Sequence, residues 1–249
     1  MTRRLAPPGA AHWLGTDNFG RDLATRLAWG AGLSLSIALG ATAAAAIIGT
    51  AVGLLCGYCR GAVDLMLMRV VDVLLGFPSL ILVMALVAVL GPGPRNLAVA
   101  LAAVFWTQYA RVARAAALSE RERDYILAAE AIGVSTLRIL FHHLLPNIAG
   151  PLIVLATLGV GVAIVSESGL SFLGLGVQPP APSWGWTLAY GLRYLRSDPW
   201  MSTAAGLTIM ITVLGFNLLG DGLRDLLDPR APAAATGSWR LPGLQRPAV

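Results

Sequence analysis

The stretch LSLSIALGATAAAAIIGTAVGLLCGY, Leu33 to Tyr58, contains no charged residue. A hydrocarbon core about 30 Å thick is crossed by roughly 20 apolar helical residues, so this stretch is long enough to span it. Lipid offers no partners to backbone amides, which restricts a crossing segment to an α-helix or a strand of a closed barrel. Barrel strands alternate polar and apolar residues, and this stretch does not. It reads as a helix. Within it Ala41, Ala45, Gly49, Gly53 and Gly57 recur every four residues and fall near one face. Such a ladder of small side chains lets a second backbone approach closely, which is how helices associate in lipid.

The rest of the chain agrees. Of 249 residues 56% are hydrophobic and only 12% charged, with a mean hydropathy of +0.70, about half the charge of a soluble domain. A soluble globule, a disordered chain and a disulfide-stapled domain are excluded. Further charge-poor runs lie between Asp72 and Arg95, centred on Pro78 to Leu90, and over Ile148 to Ser166 and Met201 to Gly220. Another begins at Leu97 and reaches Leu118 if Arg111 and Arg114 snorkel. The expectation is a single all-α transmembrane domain over residues 1–249 with five spans.

All eighteen basic residues are arginine, against thirteen acids, for a net charge of +5. In so apolar a chain that excess marks loops facing anionic lipid on the cytoplasmic side rather than a nucleic-acid partner. Arg111, Arg114, Arg121, Arg123 and Arg138 in one segment, and Arg224, Arg230, Arg240 and Arg246 in the tail 224–249, place both inside. Residues 168–200 and the loop from Gly91 to Asn96 then lie outside, as does the N-terminal segment 1–32. Arg3, Arg4, Arg21 and Arg26 argue the other way for that segment. Either it crosses regardless or a preceding helix is absent from this chain.

Between the third and fourth spans runs SERERDYILAAEAIGVSTLRILFHHLLPN, Ser119 to Asn147. Ser119 with Glu122 has the spacing of a capping box that opens a helix. Tyr125, Ala128, Ala129 and Ile132 then share one face. Gly133 breaks the helix, Ser135 can cap a second, and Leu137, Leu140, Phe141 and Leu144 give that one an apolar face. Pro146 ends it and suits the first turn of the next span. Two short amphipathic helices at about a right angle are predicted, lying on headgroups or docking into a protein cleft.

This segment resembles the cytoplasmic "EAA" loop of binding-protein-dependent ABC importer permeases. Ala128, Ala129, Gly133, Leu145 and Pro146 fill the pattern's positions. Its acidic first position is Leu127 here, with Glu130 one turn on. HWLGTDNFGRDLATRLAWGAGLSLS (His12 to Ser36), SFLGLGVQPPAPSWGWTL (Ser171 to Leu188) and FNLLGDGLRDLLDPR (Phe216 to Arg230) resemble the C-type permease subunit of dipeptide and oligopeptide importers. The resemblance implies a type I ABC importer permease bundle, usually of six helices, in a bacterial inner membrane with the C-terminus cytoplasmic. It implies a subunit without catalytic residues or bound cofactor. Its partners would be a second, B-type permease, two ATP-binding subunits that carry ATP and Mg, and an extracytoplasmic solute-binding protein. Residues 119–147, with Tyr125, Ala128, Ala129, Glu130, Gly133, Leu145 and Pro146, would couple to the ATPase. The solute would be a di- or oligopeptide, with nickel, glutathione or another small solute as alternatives.

Other candidates are fewer. Glu167, at the outer end of the fourth span, could line the path, since a carboxylate at membrane depth is a functional candidate by default. Gly15 to Asp22 reads as a structured external loop or interfacial helix start. Gln178 to Trp186 reads as an external turn with an aromatic anchor, or as a contact for the binding protein. Neighbouring His142 and His143 point to different faces. Cys56 and Cys59 lack the second ligand pair that zinc needs and read as ordinary helix residues. A phosphate loop needs a lysine, and the chain has none. A secondary transporter would show inverted repeats and several intramembrane acids, and the sequence has neither a repeated half nor several such acids.

Overall fold

The computed structural model describes residues 4–227. The first helix, α1 (Leu23–Cys59), opens where the Asp22 carboxylate accepts the Thr25 amide at 2.8 Å and so caps a free N–H. It ends at Arg60, whose φ of 53° turns the chain into α2 (Gly61–Leu75). After Gly76 and Phe77, Pro78 starts α3 (Ser79–Leu90), and α2 and α3 meet at a bend of 93°. Asn96 Nδ2 covers the carbonyl of Leu90 at 2.7 Å and that of Gly91 at 3.1 Å, leading into α4 (Pro94–Arg121). A short α5 (Asp124–Ala131) and a single turn, α6 (Thr136–Arg138), follow. A π-helical turn over Ile139–Leu144 runs directly into α7 (Leu145–Phe172). Then come α8 (Trp184–Leu192) and α9 (Trp200–Leu227). Among the described residues the extended pairing is a lone bridge between Thr16 and Asp22.

The small-residue ladder of α1 is a helix interface, and its partner is α4. Ala41, Ala45, Gly49, Gly53 and Gly57 are all buried. A Cβ on Gly53 would sit 2.6 Å from Ala113 Cβ and against the Ala110 carbonyl; one on Gly57 would sit 2.7 Å from Ala117 Cβ. These contacts rise in number together along both helices, so α1 and α4 run parallel. By the same reading α7 and α9 are antiparallel: Gly150 faces Leu227, Gly161 faces Val213 and Gly220 faces Leu158. The main core joins α1, α4, α7, α8 and α9 through residues such as Ile37, Leu101, Phe105 and Ile164.

Among the described residues three helices are long and apolar enough to cross a membrane: α1, the continuous Thr136–Phe172 and α9. The expected second span is corrected. It is no straight helix, because Gly76 and Pro78 break it. Alone, α3 has 12 residues, about 18 Å at 1.5 Å per residue, and only α2 and α3 together meet the requirement. The 28-residue α4 is about 42 Å long but is not apolar enough to be counted, so the expected five spans become three, or four with the bent pair, among the described residues.

The helices sort the loops between two ends. One end holds the C-terminal ends of α1, α4 and α9 together with residues 119–147. The other holds residues 4–22, the end of α7, α8 and the start of α9. Residues 119–147 and the end of α9 at Leu227 thus share one end. Arg230, Arg240, Arg246 and the rest of the tail beyond Leu227 lie outside the described residues, as does Arg3.

Gly53→Leu should push α1 off α4 and cost about 1–3 kcal/mol or more, as overpacking does. Gly40→Leu, where a side chain meets nothing within 4 Å, should stay within about 0.5 kcal/mol of the parent. Thermal unfolding of the purified proteins in detergent distinguishes the two.

Candidate coupling site

Ile126 and Ala129, three residues apart on α5, set which side of that helix meets the bundle: Ile126 is fully buried and Ala129 is 7% exposed. Ile126, with Ile139, Leu140 and Leu144, closes over Leu54 of α1 and Ala113 and Ala117 of α4, forming a second core at this end. The glycine–alanine seam of α1 and α4 thus ends beneath α5. Gly133, at a φ of 81°, makes the reversal that a side chain would strain, and leads through Val134 and Ser135 to the second arm.

The predicted single face of Tyr125, Ala128, Ala129 and Ile132 is therefore corrected. Ala129 turns inward, while Ala128 is exposed and Ile132 is 81% exposed. The second arm divides the same way, with Leu140 and Leu144 inward and Leu137 and Phe141 outward. An apolar outer surface remains: Leu127, Ala128, Ile132, Leu137 and Phe141. Leu127, in place of the pattern's acid, belongs to it. Glu130 is not a replacement on that face: it is half-buried and lies 4.0 Å from Arg121 Nε. Tyr125 donates its hydroxyl to Glu120 Oε1 at 2.7 Å and accepts from Asn147 Nδ2 at 3.0 Å. Desolvation first, and then the Glu120 carboxylate, pushes the Tyr125 phenol up to about 12, so it remains a donor at neutral pH.

Two start and stop signals are also corrected. Ser119 does not cap a helix: α4 continues through it to Arg121, carried by the buried Ala113–Ala117 stripe, and α5 starts at Asp124 without a side-chain cap. Pro146 does not end the second arm. It has no N–H and crowds the carbonyl four residues before it, and the backbone widens into the π-turn, where the Leu145 amide bonds to Leu140 O. Asn147 Nδ2 covers the His143 carbonyl at 2.6 Å. Half-buried Leu145 and exposed Pro146 thus form a continuous joint between the elbow and α7.

Ion pairs fasten this end. Arg114 grips Asp64 through two contacts of 2.5 and 2.6 Å, and Arg111 meets Asp72 at 2.8 Å, tying α2 to α4. Arg60 binds Glu122 at 2.7 Å, and Arg121 donates to the Tyr58 carbonyl. Sequence reading missed this clamp. Its trace is the two-turn spacing of Asp64 and Asp72 opposite arginines one turn apart.

At the other end Glu167 has 0% exposure. Its carboxylate accepts from Ser171 Oγ at 2.8 Å, Ser168 Oγ at 3.3 Å and Ser183 Oγ at 3.4 Å. Ser183 precedes α8, so Glu167 stitches α8 to α7. It is buried inside this chain among these hydroxyls. Trp184, read as an aromatic anchor, is 1% exposed and donates its indole N–H to Leu27 O at 2.9 Å. The Gly15–Asp22 loop is structured: buried Asp17 accepts from the Phe19 and Arg21 amides at 2.8 and 2.9 Å. Cys56 is buried and Cys59 exposed, both as free thiols. Among the described residues no cluster of His, Cys, Asp and Glu could hold a metal.

Comparison with known proteins follows this geometry. Residues 49–231 match the family described as binding-protein-dependent transport system inner membrane component. The dipeptide transport system permease protein DppC of Alkalihalophilus pseudofirmus is 47% identical over 229 residues, covering 92% of this chain and 75% of that protein. The di/tripeptide transport system permease protein DppC of Pseudomonas aeruginosa is 46% identical, covering 93% and 78%. The glutathione transport system permease protein GsiD of Pectobacterium atrosepticum is 41% identical, covering 90% and 74%. Among solved structures, an inward-facing form of the MetNI methionine ABC transporter superposes with a TM-score of 0.67 at 20% identity, over 82% of this chain and 97% of that one. At that identity the likeness is one of fold. The helical architecture, the elbow joined to it and the family match over residues 49–231 lead to one conclusion: this chain belongs to the inner membrane components of binding-protein-dependent transport systems.

Proposed function

We propose that this chain is one of two permease subunits of an ATP-driven importer and forms half of the path for di- and oligopeptides. The peptide reading is supported by the relatives of highest identity quoted above, which are named dipeptide and di/tripeptide permeases. In this reading the chain performs no covalent chemistry. Two separate ATP-binding subunits hydrolyse ATP with Mg, a second permease completes the path, and an extracytoplasmic protein delivers solute. The end with residues 119–147 and the end of α9 faces the cytoplasm, in keeping with its arginines.

One observation carries this reading. The elbow is held to its bundle by one apolar face, Ile126, Ile139, Leu140 and Leu144, and presents another, Leu127, Ala128, Ile132, Leu137 and Phe141, to the outside. An apolar patch at the end of a helix bundle marks a docking surface, and here its occupant is the ATPase. The inner face and the ion pairs make the elbow rigid with α1 and α4, and the π-turn joins it to α7. A push on the outer face therefore reaches three spans.

Ala128→Arg should leave the fold intact and weaken retention of the ATPase by about tenfold or more, the cost of a charge in a packed interface. Ala129→Arg should instead destabilise the elbow, because Ala129 is buried and a long charged side chain has no solvated place there. Affinity pull-down of the ATPase beside a thermal melt separates the two outcomes. Asp64→Asn should keep the ATPase bound and lower solute uptake per ATP hydrolysed by about threefold, a coupling change near 0.7 kcal/mol. Transport in reconstituted vesicles checks it.

A further inference from the structure

The apolar spans turn large side chains outward: Ile47 on α1, Val162 on α7 and Ile211 on α9 are each more than half exposed. Helix α4 departs from this. Between Ala100 and Arg121 its exposed residues are Ala103, Gln108, Arg111, Ala115 and Ser119, each of them small, polar or charged. The last four follow at spacings of three, four and four, so they share one face. That face is turned away from Ala110, Ala113 and Ala117, which meet α1.

The seam with α1 gives the depth of this face. Gly49 meets Trp106 and Tyr109, and Gly53 meets Ala110 and Ala113, so Gln108 and Arg111 stand level with the uncharged stretch of α1. Nearer the other end α3 covers α4, where Val83 and Val87 share a core with Leu101 and Val104. The 93° bend between α2 and α3 ends that cover. Arg111 does meet Asp72 of α2 at 2.8 Å, yet the two side chains stay 57% and 53% exposed. Gln108 has no hydrogen-bond partner among the described residues. An open ion pair and a bare amide at this depth are costly in lipid and belong beside water or protein.

We infer that Gln108, Arg111 and Ala115, with Asp72, line the water-filled inner half of the solute path. This deepens the function proposed above and rests on it. The chemistry suits a peptide. Arg111 offers a cation and Asp72 an anion side by side, matching the carboxylate and the ammonium of a zwitterionic peptide. The Gln108 amide donates and accepts, as a peptide group does. A neutral pair that water already reaches holds a solute weakly, as passage requires.

The assembled transporter in nanodiscs, lacking Cys56 and Cys59, tests the aqueous face without any solute. Gln108→Cys and Ala115→Cys should react with a charged, membrane-impermeant thiosulfonate at least about tenfold faster than Val162→Cys and Ile211→Cys, because the thiolate forms where water reaches it. Slow reaction at both, as lipid or the second permease packed on this face would give, would overturn the path. Uptake into vesicles then tests the polar contacts, with alanyl-alanine as the probe. Gln108→Ala should lower uptake about threefold, the loss of one hydrogen bond, while the thermal melt stays unchanged. Arg111→Gln combined with Asp72→Asn leaves no charge unpaired and removes an exposed pair that adds little to stability. It should lower uptake about fivefold, as the loss of charge-assisted contacts does, again with the same melt. Parent-like uptake in both variants, or losses matched by lower melts, would overturn the contact with solute. A transporter whose cysteines react as expected but which takes up no alanyl-alanine would refute the peptide reading and leave the aqueous face standing.

Discussion

Helices in lipid gain nothing from expelling water, so the architecture rests on how closely α1 and α4 approach. Glycine and alanine remove the side chains between them from Gly49 to Gly57 on one helix and Ala110 to Ala117 on the other. Dispersion contacts between backbones then replace the hydrophobic effect as the source of cohesion. The seam continues to the end of both helices, where Leu54, Ala113 and Ala117 form the floor on which the elbow sits. A looser seam would leave the elbow without a rigid base.

The two ends of the bundle solve different problems. At the elbow end, apolar docking and arginine–carboxylate pairs combine, and the Arg114–Asp64 pair is partly shielded from solvent while Arg111–Asp72 is open to it. Half-shielded bidentate contacts such as Arg114–Asp64 hold geometry better than open ones. At the opposite end, a buried carboxylate, Glu167, is surrounded by serine hydroxyls, and a buried tryptophan reaches the Leu27 carbonyl. Polar groups there fix a short helix and a loop against the spans. The first end is built to pass on force, and the second to hold a shaped surface.

Much of this was readable in the residues. The ladder at four-residue spacing, the absence of charge across the spans and the Gly133 reversal each depend on local chemistry, and each stands in the structure. What failed depended on tertiary context. Ser119 and Glu122 have a capping-box spacing, but the alanine stripe before them continues into the core and extends α4. Tyr125, Ala128 and Ala129 suggested one face, whereas fully buried Ile126 sets the rotation of α5. Pro146 looked like a stop, but the chain runs on through a π-turn in which the Leu145 amide bonds to Leu140 O. Glu167 and Trp184 could be found in the sequence, but their burial could not, since both partners lie on distant elements. Gly76 and Pro78 gave the signal for the bend between α2 and α3, while the surrounding apolar run masked it.

The central claim is that the elbow moves as one body with α1 and α4. Spin labels at Asp124 on the elbow and Ile47 on α1, both exposed, in a background lacking Cys56 and Cys59, would measure it by pulsed dipolar spectroscopy in the assembled transporter. The separation between these labels should be the same without nucleotide and with ATP trapped. A change approaching one helical turn, about 5.4 Å, would contradict the account, because the elbow would then be hinged on the bundle instead of fixed to it.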